Sequence, residues 1–123
     1  YNAVFGPERA ITVPYRGDFC RTRAHHSNLY FGASLRALAH LANAWGYALV
    51  GTASAGANAF FVRRDVLVPP LVEVTAESAY SPSRFRESRD RYGVPDFLRA
   101  GERTAAIAGL PVINVITGDA EQL

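Results

Sequence analysis

The clearest hydrophobic pattern in the chain runs from Ala33 to Trp45. Apolar side chains recur there at the spacing of one face of an amphipathic helix, and they are Leu35, Leu38, Leu41, Ala42 and Trp45. Alanine and leucine dominate the segment, and both favour helix formation. Gly46 follows, and glycine readily adopts the left-handed conformation that ends a helix. The pattern therefore predicts a helix over residues 33–45.

Two short apolar segments come directly after this helix. Tyr47 to Thr52 and Ala59 to Arg63 are rich in β-branched and aromatic residues, and turn-forming residues fill positions 53–58 between them. This arrangement predicts an antiparallel hairpin with a long connecting turn. Both segments are apolar on both faces, which is typical of strands covered on two sides within a larger sheet. The rest of the chain hardly supplies such a sheet.

The regions on either side of this helix–hairpin unit are less regular. Residues 1–28 carry turn signals and little periodicity, which predicts a long ordered loop of the kind that lines a functional site, with a short extended run at 10–13. Beyond Asp65 the sequence predicts a further extended piece, two short helices and a last strand; their ranges are 71–74, 83–92, 95–108 and 111–116.

Composition limits the classes of protein to which the chain belongs. All 13 basic residues are arginine, and they balance 11 acidic residues to a net charge of +2, so the dense basic face of a nucleic-acid-binding protein is missing. No apolar run reaches the length of about 18 residues that spans a membrane. We therefore expect a soluble, cytoplasmic protein that binds neither nucleic acid nor membrane. The chain has no methionine and opens at Tyr1, which favours an excerpt of a longer protein.

Three groups of residues carry candidate chemistry, each with an ordinary structural alternative. Cys20 is the only cysteine, so it forms no disulfide within the chain and is most often a small buried residue. His25 and His26 offer a general base near neutral pH, although hydrogen bonding within a loop is the commoner role. The arginines between 84 and 91 suit a phosphate or carboxylate, although the interleaved Glu87 and Asp90 favour ion pairs on a solvated helix. The histidines and the cysteine lack zinc-ligand spacing.

Five segments together resemble the C-terminal portion of FkbM-like class I methyltransferases. These segments are Tyr1 to Pro7, Val13 to Tyr15, Tyr30 to Leu35, Gly46 to Val50 and Asn58 to Val62. The resemblance covers about residues 1–65 and implies an α/β fold: the C-terminal part of a Rossmann-like methyltransferase sheet, in which a helix precedes an antiparallel hairpin. Residues 66–123 would form a helical and irregular C-terminal extension. Tyr1 and Asn2 would lie just past the end of the fourth strand, at the edge where open α/β sheets bind ligands.

The resemblance also implies a function. Enzymes of this family use S-adenosylmethionine, and this chain would line the side of the site that holds a small-molecule or glycan-like methyl acceptor, through Tyr1, Asn2, Asp18 and His25. The glycine-rich loop and the acidic residue that bind the cofactor are absent from this sequence. We therefore expect the isolated chain to be inactive and to contact an N-terminal half or a second copy of itself. The alternative is a non-catalytic accessory or protein-interaction domain that keeps the methyltransferase-like ending.

Overall fold

The computed structural model describes residues 1–84 and 87–123 and shows a mixed α/β fold with antiparallel sheets. Within these residues, the strands are β1 (Ile11–Thr12), β2 (Tyr47–Thr52), β3 (Ala59–Arg63), β4 (Pro111–Asn114) and β5 (Ala120–Gln122). The α-helices are α1 (Arg21–Ala24), α2 (Leu35–Ala44), α3 (Ala76–Ala79) and α4 (Ala100–Ala106), and short 3-10 helices cover Ala3–Phe5 and Arg64–Val66.

The predicted helix and hairpin are confirmed. Helix α2 begins where the Ser34 side chain accepts a hydrogen bond from the Ala37 backbone N–H at 3.1 Å, and it gives way to Gly46, whose φ is 77°. Strands β2 and β3 then pair antiparallel, with Leu49 opposite Phe61 and a bulge between Leu49 and Gly51.

The second sheet joins the two ends of the chain. Strand β4 lies in its centre, paired antiparallel with β1 on one side and with β5 on the other. Strand β1 is also tied to the start of α2, because the Ser34 side chain accepts from the Ile11 N–H at 3.1 Å and the Ser34 N–H donates to the Ile11 carbonyl at 2.9 Å. The boundary expected near residue 65 remains a prediction, although β1 and β4 lie on opposite sides of it in the sequence.

Each sheet has its own hydrophobic core. The first, which we call the closed core, contains eight buried residues, and these are Val4, Phe5, Ile11, Val13, Leu29, Tyr30, Ile107 and Val112. The second, which we call the hairpin core, has Leu35, Leu49 and Ala76 at its centre, with Phe61 and Val74 among the partly buried residues around it. Helix α2 and helix α3 therefore cover one face of the hairpin.

Several predictions for the flanking regions need correction. Residues 1–28 are not one loop, since they include a 3-10 helix, strand β1 and helix α1. The helix predicted over 83–92 does not form at 87–92, where the Asp90 carboxylate instead accepts from the N–H groups of Tyr92 and Val94; residues 85–86 lie outside the described residues. The segment 71–74 pairs with no strand among the described residues.

The last helix and strand are also placed differently. Helix α4 begins at Ala100 and not at Pro95, because Phe97 has a left-handed backbone with a φ of 54° that interrupts a right-handed helix running on from Pro95. The Glu102 carboxylate accepts from the Arg99 N–H at 2.9 Å and so fixes the later start. Strand β4 ends at Asn114, whose side chain accepts from the N–H of Ile116 at 3.0 Å and turns the chain toward β5.

Candidate functional site

The strongest concentration of candidate chemistry lies in residues 14–28, which we call the polar loop. It leaves the closed core after Val13 and returns to it at Leu29, both of which are buried. Arg21 fixes its base, because the guanidinium donates from Nε to the Asn28 carbonyl at 2.8 Å and stacks 4.4 Å above the centre of the Phe31 ring. Arg21 therefore fixes the C-terminal end of the polar loop next to Phe31.

Asp18 stands at the exposed end of the polar loop. Arg16 donates two hydrogen bonds to its carboxylate, from Nε at 3.2 Å and from Nη2 at 3.0 Å. The hydrogen bonds from Arg16, together with its positive charge, hold the pKa of the Asp18 carboxyl below its usual value. Asp18 is thus an ionised acceptor at neutral pH, paired with Arg16.

Two small cavities adjoin this ion pair. One, of about 150 Å³, is lined by Asp18, Cys20 and Arg23, and the other, of about 220 Å³, is lined by Val13, Tyr15 and Gly32 among others. Arg16 and Phe19 line both cavities and so form the ridge between them. The cavity beside Tyr15 has a mainly apolar wall with a few polar groups, a composition common in small-molecule sites, whereas the cavity beside Asp18 is mainly polar.

His25 is held by Ser27 in one orientation. The Ser27 hydroxyl lies 2.8 Å from the imidazole Nδ1 and accepts from the Leu29 N–H at 3.2 Å, while the Ser27 N–H also points to Nδ1 at 3.4 Å. Nδ1 is therefore an acceptor, and the neutral ring carries its proton on Nε2.

The charge state of His25 agrees with this assignment. Burial lowers the pKa of His25, and the neighbouring His26 ring, whose centre is 4.1 Å away, lowers it further. The imidazole is thus neutral at pH 7. In that form it donates a hydrogen bond from Nε2, which suits binding of an oxygen better than removal of a proton.

Cys20 has more chemical potential than its sequence context indicated. The Thr22 hydroxyl, 3.3 Å from the sulfur, lowers the pKa of the Cys20 thiol, and Arg23 lowers it further, to about 7. A substantial share of the side chain is therefore thiolate at neutral pH. The sequence signal was the polar and basic pair two and three residues after the cysteine, and it could not be interpreted without knowing that α1 begins there.

Tyr1 and Asn2 lie apart from the polar loop's exposed end. Asn2 is buried, and its amide donates to the carbonyls of Leu29 at 2.8 Å and Phe31 at 3.0 Å, while its Oδ1 accepts from the Val4 N–H at 3.1 Å. These bonds use both amide hydrogens, so Asn2 holds the end of the polar loop against the 3-10 helix at Ala3–Phe5.

Tyr1 faces the hairpin core. Its hydroxyl donates to the Ser81 carbonyl at 2.9 Å, and its ring packs near that of Tyr80, with the two ring centres 6.5 Å apart. Asp18 and His25 share the polar loop, yet no hydrogen bond or ion pair joins them in the part of the chain that the structure describes. The four residues predicted to bind substrate therefore fall into two separate places.

The remaining structural features and the comparisons add little more. In residues 1–84 and 87–123, no three His, Cys, Asp or Glu side chains are grouped so that they could hold a metal ion. Every helix in the same residues is too short or too polar to traverse a lipid bilayer. Comparison with protein-family models, with curated proteins and with solved structures finds no match to this chain.

Proposed function

We propose that this chain forms the substrate side of an S-adenosylmethionine-dependent methyltransferase, as the C-terminal part of a Rossmann-like sheet. The sequence resemblance over residues 1–65 suggests the family, and the unpaired outer edge of β3 is the observation that carries the proposal. The polar loop would hold a small-molecule or glycan-like methyl acceptor. The cofactor would be bound by residues outside this chain, which lacks both the glycine-rich loop and the ribose-binding acid.

The free edge of β3 follows from the hydrogen-bond pattern of the hairpin. The Arg64 N–H donates to the Gly46 carbonyl at 2.9 Å, and in an antiparallel pair the bonded positions alternate. Tyr47 and Arg63, like Leu49 and Phe61, are therefore non-hydrogen-bonded pairs, and their backbone N–H and carbonyl groups point away from the partner strand. The Leu49 carbonyl agrees with this, since it accepts from the Val74 N–H at 2.9 Å on the far side of β2.

No equivalent partner lies beyond β3. Among the described residues, no strand pairs with its outer edge, where the N–H and carbonyl groups of Phe61 and Arg63 point. Proteins usually cover, charge or shorten such an edge, because it is a template for another strand. An apolar strand with one open edge is what a larger sheet needs in order to continue, and this supports the proposed parent sheet.

The polar loop supports the second part of the proposal. Asp18 accepts hydrogen bonds and His25 donates one from Nε2, so the pair suits hydroxyl groups, which do both. Tyr15, which is 95% exposed, and Phe19 add aromatic surface beside the two cavities. The loop's own contribution would be to bind and orient an acceptor hydroxyl. The residues of this chain do not make a cofactor site, so no step of methyl transfer is assigned to them.

Calorimetric titration with S-adenosylmethionine tests the proposal. The full gene product should bind the cofactor, whereas the 123-residue chain alone should not. The coding sequence upstream of Tyr1 should also encode a strand–glycine-loop–helix unit within about 150 residues, the size of one domain. A gene without such a unit, or a full product that does not bind the cofactor, would overturn the proposal.

The loop's role needs its own variants in the full protein. Asp18→Asn and His25→Gln should weaken the binding of simple glycosides, measured by NMR saturation transfer from the protein to each glycoside. Cofactor binding should stay unchanged. Asp119→Asn and His40→Gln, which alter the same residue types at exposed positions outside the loop, serve as matched controls. Equal losses in the controls would exclude the polar loop as the acceptor site.

A second candidate function, a protein-interaction domain, is favoured by exposed apolar side chains near the hairpin. Trp45 is 75% exposed and Phe60 is 54% exposed, and Val66, Val68, Leu71 and Val72 are also largely exposed. Large apolar patches usually mark interfaces. Such an interface is compatible with the first function, in which it would contact the proposed cofactor-binding half of the enzyme or a second copy of this chain. Cofactor binding by the full protein separates the two functions.

A further inference from the structure

A cavity of about 770 Å³ lies beside α4, well outside the polar loop and the hairpin edge. Its walls carry three arginines, one glutamate and one aromatic ring, from Arg84, Arg99, Arg103, Glu87 and Phe97, and the start of α4 at Ala100 completes them. It is larger than either cavity at the polar loop. None of its residues takes part in the proposed methyltransferase function, so the two proposals stand or fall separately.

Two of the three cavity arginines, Arg84 and Arg99, form no ion pair among the described residues. Arg103 is a fixed part of the wall: it is buried and donates to the carbonyls of Leu98 at 2.6 Å and Ser83 at 2.5 Å. The guanidinium groups of Arg84 and Arg99 therefore bring to the cavity wall positive charge that no carboxylate of the described residues contacts directly.

The one acidic residue of the cavity is already occupied. Glu87 accepts from Arg89 Nε at 2.5 Å, and this ion pair is with a residue outside the cavity wall. The sequence interpretation of alternating ion pairs therefore applies to Arg89 and does not extend to Arg84. Because arginine presents a planar fork that matches carboxylate and phosphate oxygens, two unbalanced guanidinium groups favour an anion.

The rim of the cavity is conformationally strained. Phe97 has a φ of 54° and Ala100 a φ of 39°. Such values are unfavourable for any residue other than glycine, and they persist only where surrounding interactions hold the backbone in place. Buried Ser88 fixes the backbone on both sides of Phe97: its hydroxyl accepts from the Leu98 N–H at 2.7 Å, and its carbonyl accepts from the Asp96 N–H at 3.1 Å. The result is an aromatic ring, 67% exposed, held at the edge of a basic cavity.

We propose that this cavity binds a small organic anion, with a carboxylate or phosphate group held by Arg84 and Arg99 and an apolar body packed on Phe97. This role would account for the left-handed backbone of Phe97, because its exposed ring contributes little to the hydrophobic cores. The ligand class is an aromatic or similarly flat acid or phosphate monoester. Inorganic phosphate would reach the arginines without using the ring.

Titration of the 123-residue chain with three probes, followed by NMR chemical shifts, tests the proposal. Phenyl phosphate, benzoate and inorganic phosphate should each perturb the backbone signals around Arg99, with phenyl phosphate or benzoate binding more tightly than inorganic phosphate. The order of those two distinguishes a phosphate ligand from a carboxylate ligand. Absence of saturable binding by all three at low salt would overturn the proposal.

Arginine variants locate the site. Arg84→Gln and Arg99→Gln should each weaken phenyl phosphate binding about tenfold, the effect of losing one charge-assisted hydrogen bond. Arg91→Gln removes the same charge from an exposed residue that does not line the cavity, and it should leave the affinity unchanged. An equal loss in all three variants would show general charge attraction and would contradict a built site.

A Phe97→Asn variant tests the role of the ring. Asparagine tolerates the left-handed backbone, so the fold should be kept and its stability should not fall. Binding of phenyl phosphate should weaken by several-fold, while the affinity for inorganic phosphate stays the same. If both affinities stay the same, Phe97 takes no part and the proposed apolar contact is wrong.

Discussion

The closed core and the hairpin core differ in which parts of the chain they bring together. The closed core joins segments near both ends, since β1 at Ile11–Thr12 pairs with β4 at Pro111–Asn114, and its central residues are fully buried. The hairpin core is local: α2, β2 and β3 follow one another directly, and α3 adds a short cover. The local core has three buried residues at its centre and an unpaired edge at β3, while the core that requires distant segments has eight buried residues.

This difference indicates where the chain's stability and its interactions lie. Burial of apolar surface is the main favourable contribution to folding, so the fully buried residues of the closed core should dominate the stability of the isolated chain. The hairpin core keeps apolar side chains such as Phe60 exposed and an outer strand edge unpaired. Substitutions should therefore have unequal effects on the two cores.

The largest effect is expected from Ile107→Ala. Ile107 is fully buried in the closed core, and the lost burial together with the cavity should lower the free energy of unfolding by about 2–5 kcal/mol. The counterpart in the hairpin is Phe60→Ala, where the ring is 54% exposed and the cost should be about 0.5 kcal/mol. Urea unfolding followed by circular dichroism measures both.

The only tryptophan gives this experiment a second readout. Trp45 follows α2, so its fluorescence reports on the hairpin side of the molecule. Coincident transitions by fluorescence and circular dichroism would show that the two cores unfold as one unit. A Phe60→Ala variant as unstable as Ile107→Ala would contradict the proposed difference between the cores.

The contact between the hairpin turn and the segment at 81–82 gives the next largest effect. A Cβ atom on Gly56 would lie 2.5 Å from the carbonyl oxygens of both Ser81 and Pro82, and the Gly56 φ is 68°. Gly32 has a similar φ of 64° but open space around it. Gly32→Ala should therefore cost about 1 kcal/mol from the backbone alone. Gly56→Ala should cost about 1–3 kcal/mol more, because the turn must move away from that segment.

Thermal unfolding of the two alanine variants isolates the clash from the backbone strain. The difference in stability between them measures how firmly the turn is held against residues 81–82, a contact that the Tyr1 hydroxyl also makes at the Ser81 carbonyl. Equal losses in both variants would mean that the hairpin turn is not anchored there, and the hairpin would then be attached only through its own core.

The sequence predicted the hairpin core well because its signals are local. The apolar stripe of α2 and the conformation of Gly46 act within a few residues, and so does the pairing of two strands joined by one turn. For the closed core the sequence indicated extended segments at 10–13 and 111–116 but not their pairing, because the two partners, β1 and β4, lie about a hundred positions apart. Strand β5 was missed although it pairs with β4 across a short turn, because its three residues, Ala120 to Gln122, are too few to show an alternating apolar pattern.

The candidate site follows the same division. The sequence indicated His25 as a loop residue with hydrogen-bonding capacity, but its proton position depends on Ser27 and Leu29 acting together. It also interpreted the arginines of residues 84–91 as a helix face. The Asp90 turn replaces that helix at 87–92, and folding makes Arg84 and Arg99 line one cavity. Pairings over such distances leave no periodic trace.

A smaller effect on stability is expected from the titration of His25, which contacts Ser27 within the polar loop. Its folded pKa lies below the ordinary value of 6.5, so its contribution is fully present above that value and is lost as the pH falls toward the lowered pKa. His25→Gln should flatten this part of the stability curve between pH 7.5 and 5, approximately the range over which imidazoles titrate. His40→Gln, at an exposed position, should leave the curve unchanged; an unchanged curve in His25→Gln would refute the assignment.

The smallest effect on stability is expected from two surface ion pairs, one beside each core. Arg9 donates to Glu121 at 2.6 Å beside the closed core, and Arg64 donates two hydrogen bonds to Glu73 at 2.5 Å and 2.6 Å beside the hairpin. Hydrogen bonds from these arginines lower the pKa of both carboxyls, and Asn114 adds to the effect at Glu121. Each pair therefore stabilises the fold above the ordinary carboxyl pKa of 4.5, and this stability is lost as the pH falls through the lowered value.

Glu121→Gln and Glu73→Gln should each reduce the acid sensitivity of unfolding slightly, and 1 M salt should reduce the effect further because Glu73 is exposed and Glu121 is partly exposed. If the cores unfold separately, Glu73→Gln should change mainly the Trp45 fluorescence transition and Glu121→Gln mainly the circular dichroism transition. Equal changes in both signals would mean that the open hairpin draws its stability from the closed core, and an acid limb that neither variant alters would remove these ion pairs from the comparison.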